Sequence, residues 1–406
     1  MADRYWVGGT ASWDGTAGTK WAATSGGAGG AAVPTTADDV FFDGNSTGTV
    51  TIATGNTGAK SINCTGFTGT ITGTSSLTVA GSVTLVSGMT YSHTGTFIFT
   101  GTGTLITAGN VFSGVTVSSS GITLTLGDAL NIANRVLNVN SGNFDANNYN
   151  VTANSFTSTN TNNRIVSMGS GLWTLTGTAT VWNTLTATNL TLNKNTANIL
   201  LSNNTTALRS FTPGPNGLSF NKLTIGGNTS TSTTNINGIA SYTEIASTKT
   251  VAHTIRINTN GNVIDTWSVT GSSGNVVTFE SAVSGTQRTF TLTNVTSGID
   301  YLSVKDIGEL NGNKFYVGAN STDGGNNINV YFTVAPGGAY TLTAQNGIYS
   351  VSGQSAVLLR TRLVSAQNGS YSVFGQPAVI TLGGGGGTTG TQFFVEIRSF
   401  TERRRF

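Results

Sequence analysis

The feature that most limits this chain is the brevity of its apolar alternations. They include Thr70-Ile71-Thr72, Leu77-Thr78-Val79, Phe97-Ile98-Phe99, Ile122-Thr123-Leu124-Thr125-Leu126, Leu137-Asn138-Val139, Trp173-Thr174-Leu175, Leu223-Thr224-Ile225 and Ile255-Arg256-Ile257. Each runs for three to five residues and is then cut by Gly, Asn or Ser. A period of two with β-branched residues buries one face of a strand. Threonine at the outward positions favours strand over helix. No segment carries a convincing apolar period of 3.6, so the chain is expected to be all-β with very little helix.

Two architectures accommodate strands this short: a string of β-sandwiches, or a solenoid whose turns stack to bury one continuous core. Sandwich strands usually run to about five or six residues. The alternation here continues from about residue 48 to about residue 333 without a linker-like break, and asparagine recurs at the turns, where stacked amides can bond to one another. The expectation is a β-solenoid (β-helix) body over residues 46–335. At roughly 20–25 residues per turn and about 4.8 Å between turns, that gives about a dozen turns and a rod roughly 60 Å long.

Residues 1–45 differ. Three of the six tryptophans, Trp6, Trp13 and Trp21, fall in the first 21 residues. The first turn of a solenoid has an open core and an unpaired edge, so these residues are expected to form an aromatic cap. The alternative is a platform for sugar rings, with the same three tryptophans as glycan contacts.

The far end carries the clearest repeat. Ala344-Gln345-Asn346-Gly347-Ile348-Tyr349-Ser350-Val351-Ser352-Gly353-Gln354 recurs 22 residues later as Ala366-Gln367-Asn368-Gly369-Ser370-Tyr371-Ser372-Val373-Phe374-Gly375-Gln376. Asn-Gly signals a tight turn and Tyr-Ser-Val a strand, so residues 336–382 read as a small β-repeat module. A Gly-rich linker opens residues 383–406, which end in the alternation Phe393-Phe394-Val395-Glu396-Ile397. Tyr349, Tyr371, Phe393, Phe394, Val395 and Ile397 are the candidate anchor or oligomer contacts, because an apolar strand beyond a glycine hinge can add to a neighbour's sheet edge. The other outcome is that it folds back on its own chain.

Charged residues are 9% of the chain, against roughly a quarter in an average globular protein. The net charge of +3 is small for 406 residues, and much of the excess lies in Arg398, Arg403, Arg404 and Arg405, so nucleic acid is not an expected partner. No run of 18 apolar residues is present, so no membrane span is expected. The opening Met-Ala-Asp-Arg-Tyr-Trp has neither the basic nor the apolar region of an export signal. The single cysteine, Cys64, excludes an intrachain disulfide and reads as a small inward-facing residue.

At its two ends the chain resembles a known kind of protein. Tyr5-Trp6-Val7-Gly8-Gly9, Trp13-Asp14 and Val33-Pro34 to Asp38-Asp39-Val40-Phe41-Phe42-Asp43 resemble the start of repetitive β-helical surface proteins, found among tailed-phage structural proteins and autotransporter-like adhesins. The doubled Ala-Gln-Asn-Gly-x-Tyr-Ser-Val-x-Gly-Gln unit resembles C-terminal repeats of tailed-bacteriophage virion proteins, and Tyr301 to Asn327 is similar to the terminal part of such proteins. The resemblance implies a structural protein on the virion surface, made in the host cytoplasm. It would be a tail fibre or spike, or a capsid decoration or head fibre. Its partners would be other virion proteins, a host surface glycan and two sister chains in a homo-trimer. It implies no catalytic residue and no cofactor.

The residues themselves keep one enzyme in view. Solenoid glycan depolymerases set two carboxylates about 5–9.5 Å apart in a groove, and Asp128, Asp145, Asp265 and Glu280 lie in the body. Nothing in the spacing selects a pair, and the expectation is a chain that is not an enzyme. A bacterial surface adhesin is the third reading. His93 and His253 are far apart in sequence, with no visible partners for a triad or a zinc site. Asp323-Gly324-Gly325 lacks the spacing of a calcium loop and reads as an Asx-turn.

Overall fold

In a computed structural model of the 406-residue chain, residues 2–227 and 230–336 are described, Asn216 by its backbone alone, together with the backbones of Leu342–Gln345, Tyr349–Val351, Val364–Gln367, Tyr371–Val373 and Phe400–Glu402. The described residues contain strands and turns and no helix. Two compact units result, Met1–Val334 and Ala335–Phe406.

The first unit is a β-solenoid of about 13 turns. Parallel pairing between successive turns builds three main ladders. On one ladder, Leu130, Val151, Trp173, Ile199, Leu223, Ile245 and Trp267 stack in direct register. A second stacks Leu77, Phe97, Val115, Leu137, Phe156, Trp182, Phe211, Ile236 and Ile257. A third runs through Val40, Ile62, Val83, Leu105 and Leu126. All of these side chains are buried. The period-two alternation works as the sequence implies, with one set of apolar residues pointing into a core shared by successive turns.

The turn length drifts, and the ladders show where. From Leu130 to Trp267 the steps stay between 21 and 26 residues. From Leu77 to Ile257 they range from 18 to 29. The ladders stay in register while the corners absorb insertions, which is why the sequence period is irregular.

Not every strand is short. Gly114–Leu126, Leu130–Asp145, Arg209–Ile225 and Thr233–Ser247 each cross a corner as one continuous strand, and in the first three a glycine at positive φ makes the bend, as at Gly121 (+75°), Gly142 (+82°) and Gly214 (+84°). The register slips where they bend, as between Val117 and Thr123, and Ser118–Gly121 there lie at the surface. A polar corner thus joins two short alternations into one strand, which local alternation alone does not reveal.

Close stacking explains some of the glycine. A Cβ on Gly101 would stand 1.7 Å from the carbonyl oxygen of Ala80 one turn away. At Gly73, φ is +117° and a Cβ would meet the Ile52 carbonyl at 2.2 Å. Both are corners where neighbouring backbones meet with no room for a side chain.

In the second unit the backbone pairs Leu342–Gln345 with Val364–Gln367 and Tyr349–Val351 with Tyr371–Val373. Both pairings are parallel, and both join residues 22 apart, so each position of one repeat lies beside its counterpart. The spacing is that of a solenoid turn, and the two repeat copies stack rather than fold as separate hairpins. Phe400–Glu402 pairs antiparallel with Tyr371–Val373; the alternation Phe393–Ile397 lies outside the described residues.

Candidate functional surface

The N-terminal residues do more than cover the core. Asp3–Trp6 pairs parallel with Asp39–Phe41, and Ala11–Trp13 with Thr49–Ile52, so they form the first turn. Trp21–Ala22 then closes the outer edge of Asp3–Trp6 by antiparallel pairing. Lys20 covers the other strand, donating from Nζ to the Ser12 carbonyl at 2.8 Å and to Asp14 Oδ1 at 2.7 Å. A lysine on an edge strand discourages pairing with another chain. Trp21 packs edge-on against Trp6 and Trp13 at 5.0 and 5.3 Å between ring centroids, and Phe42 and Phe67 continue the cluster. Trp6, Trp13 and Trp21 are fully buried. They seal the end of the core, and the sugar-platform alternative is corrected: none of the three presents a ring face to a ligand.

The four carboxylates named from the sequence are each committed to a local bond. Asp128 accepts from the backbone N–H groups of Thr107 and Ala108 one turn away. Asp145 accepts from Asn147 N, Asp265 from Thr293 Oγ1, and Glu280 from Arg256. No two of them share a hydrogen-bonding partner among the described residues. Asp323 accepts from Gly325 N at 2.8 Å, the Asx-turn geometry. Among the described residues no group of three His, Cys, Asp or Glu could hold a metal ion. No described helix is long and apolar enough to cross a membrane.

Cys64 is buried and free, and burial pushes its thiol well above the usual range. Both histidines are buried, and in both burial is the main cause of a lowered pKa. His93 bonds the Ser75 carbonyl through Nε2 and Ser113 Oγ through Nδ1, and Tyr91 reaches the same hydroxyl at 2.6 Å. A carbonyl only accepts, so Nε2 carries the proton. His253 is the mirror case: Nδ1 donates to the Val251 carbonyl at 2.8 Å and Nε2 faces Ser247 Oγ at 2.9 Å.

Buried cations at the corners escaped the sequence reading. Arg164 donates to the carbonyls of Asn162, Thr186 and Thr188 and to Ser158 Oγ. Arg209 reaches the Leu201 and Gly226 carbonyls and the hydroxyls of Ser232 and Thr234. Lys249 Nζ meets the Gly227 and Ser230 carbonyls, each at 2.6 Å. Burial lowers Arg209 to about 10. Burial, with Arg209 nearby, lowers Lys249 to about 8. Arg164 and Arg209 each bind carbonyls on two turns, and Lys249 binds two within one corner. The one available signal was their isolation in a chain so poor in charge.

Outward positions are hydroxyls and amides stacked turn upon turn, as in Thr49, Thr70 and Thr90, or Asn131, Thr152 and Thr174. The expected asparagine stacks take another form. Asn110, Asn147, Asn203 and Asn327 donate side-chain N–H to backbone carbonyls of a neighbouring turn; an amide-to-amide bond joins Asn160 to Asn140.

Of the candidate anchor residues, Tyr349 and Tyr371 are paired partners along the backbone of the second unit. Phe393, Phe394, Val395 and Ile397 lie outside the described residues. Comparison with protein-family models, with curated proteins and with solved structures finds no match for this chain.

Proposed function

We propose that this chain is a structural protein of a bacteriophage virion surface, serving as a tail fibre or spike or as a capsid decoration. The solenoid is its stiff arm, presenting stacked hydroxyls and amides that suit attachment to a host surface glycan. The C-terminal unit joins it to other virion proteins or to sister chains. The observation that carries this reading is the match between a continuous apolar core of about 13 turns and a side surface whose polar groups hold turn to turn. Such a rod needs no partner to bury its core, and its polar flank stays soluble with few charges. The resemblance of both chain ends to tailed-phage virion proteins supplies the setting.

The test is electron microscopy of purified phage particles incubated with a gold-labelled antibody raised against residues 46–335. Label on tail or capsid would support the reading and name the appendage. Particles that contain no such protein and take no label would overturn it.

A further inference from the structure

Three basic groups meet at one corner of the rod. Arg209, Lys249 and His253 are 1%, 7% and 4% exposed, and none takes part in the four ion pairs among the described residues. The strand His253–Ile257 lies between Thr233–Ser247 and Val277–Ser281. The residue paired with His253 on the latter is the apolar Val277. Of the acids on those two strands, Glu244 is held by Lys222 and Glu280 by Arg256. The charges that bear on His253 are Lys249, from the turn before it, and Arg209, from the strand Arg209–Ile225, both positive.

Most donors of this corner are occupied: Lys249 Nζ meets three oxygens and the terminal nitrogens of Arg209 meet five, while Arg209 Nε is buried without a hydrogen-bond partner.

We propose that this corner is an acid-sensitive joint: protonation of His253 sets a third positive charge beside two buried cations and loosens the turns they hold. The hydrogen bonds themselves can survive. With a proton on Nε2, His253 donates to Ser247 Oγ, which turns its own hydrogen to the Ile225 carbonyl 3.1 Å away. Only the charge is new. No carboxylate offsets it, and the contacts that give way are those of Arg209 and Lys249 to the carbonyls of Leu201, Gly226 and Gly227. The opening is local, because each turn of a solenoid contacts only its neighbours.

The test is hydrogen exchange by mass spectrometry on the full chain at about pH 7.5 and about pH 5, corrected for intrinsic exchange. In the wild type, peptides within residues 201–257 are expected to lose about tenfold protection at the lower pH, while peptides within residues 137–175 hold theirs. His253→Gln is expected to abolish the loss. Lys249→Gln, which keeps the imidazole and removes one neighbour, is expected to reduce it and covers the case in which His253→Gln does not fold. Unchanged wild-type protection at the lower pH, or an equal loss in either variant, would overturn the proposal.

Discussion

Arg256 and Glu280 stand side by side on adjacent turns, paired in the ladder and joined by a 2.7 Å bond from Nε to Oε1. Lys222 and Glu244 repeat the arrangement on another ladder at 2.9 Å. With so few charges, opposite signs at directly paired positions penalise a slipped register, which would leave each beside a neutral or like-charged neighbour. Both members of the Arg256–Glu280 pair are partly exposed, so its stabilisation is modest. A double-mutant cycle with Arg256→Ala and Glu280→Ala should give a coupling of about 0.2–1 kcal/mol in urea unfolding. At about 1 M salt most of it should vanish.

Gly101→Ala should destabilise by about 1–3 kcal/mol, because the added methyl meets the Ala80 carbonyl and the two turns must separate. The urea midpoint reads this. An unchanged midpoint would mean that the corner yields freely.

Arg209→Met should cost about 2–4 kcal/mol, by removing the buried donor to the Gly226 carbonyl and to the Ser232 and Thr234 hydroxyls. Arg135→Met is the control: Arg135 is exposed, and its loss should change stability by no more than about 0.5 kcal/mol. Equal effects would remove the distinction between corner and surface cations.

His93 carries a pH dependence of its own. Burial depresses its folded pKa below the usual value, and Arg135 adds to the effect. The folded state therefore favours the neutral ring. The corresponding stability is complete above the unfolded pKa of about 6.5 and is lost as pH falls below it, toward the folded value. His93→Gln should flatten the fall in melting temperature between about pH 7 and about pH 5. A slope identical to wild type would show that His93 opens before it titrates.

Trp13→Ala should cost about 3–5 kcal/mol and admit a hydrophobic dye to the exposed end of the core. Loss confined to the N-terminal turns, seen as fast exchange within residues 3–63, would match a closed rod end. Dye binding unchanged from wild type would contradict the sealing role.

Much of the fold was legible because it rests on local pattern. Phe97-Ile98-Phe99 and Leu223-Thr224-Ile225 show their buried faces at a glance, and stacking needs only that the pattern continue. Corners were harder. The sequence does not say that Ser118–Gly121 continues one strand through a corner, nor that asparagine amides reach for carbonyls more than for each other, since both depend on which backbone lies one turn away. For the same reason Trp6, Trp13 and Trp21, expected as a cap, left a sugar platform as the alternative until burial decided between them. Arg209, Lys249 and His253 are 40 and 4 residues apart along the chain, and only the winding brings them together.

The closed end has a consequence for how the rod is made. Trp6, Trp13 and Trp21 leave the ribosome before the turns that stack beneath them, and domains commonly form in that order. The edge built by Asp3–Trp6 and Trp21–Ala22 is then complete before later turns exist, and each arriving segment finds its partner some 22 residues upstream, already in place. Growth proceeds by templating in one direction, with short loops to close at each step. A stalled chain would be a shorter rod with one finished end, and adding turns below the seal lengthens the arm without altering how it starts.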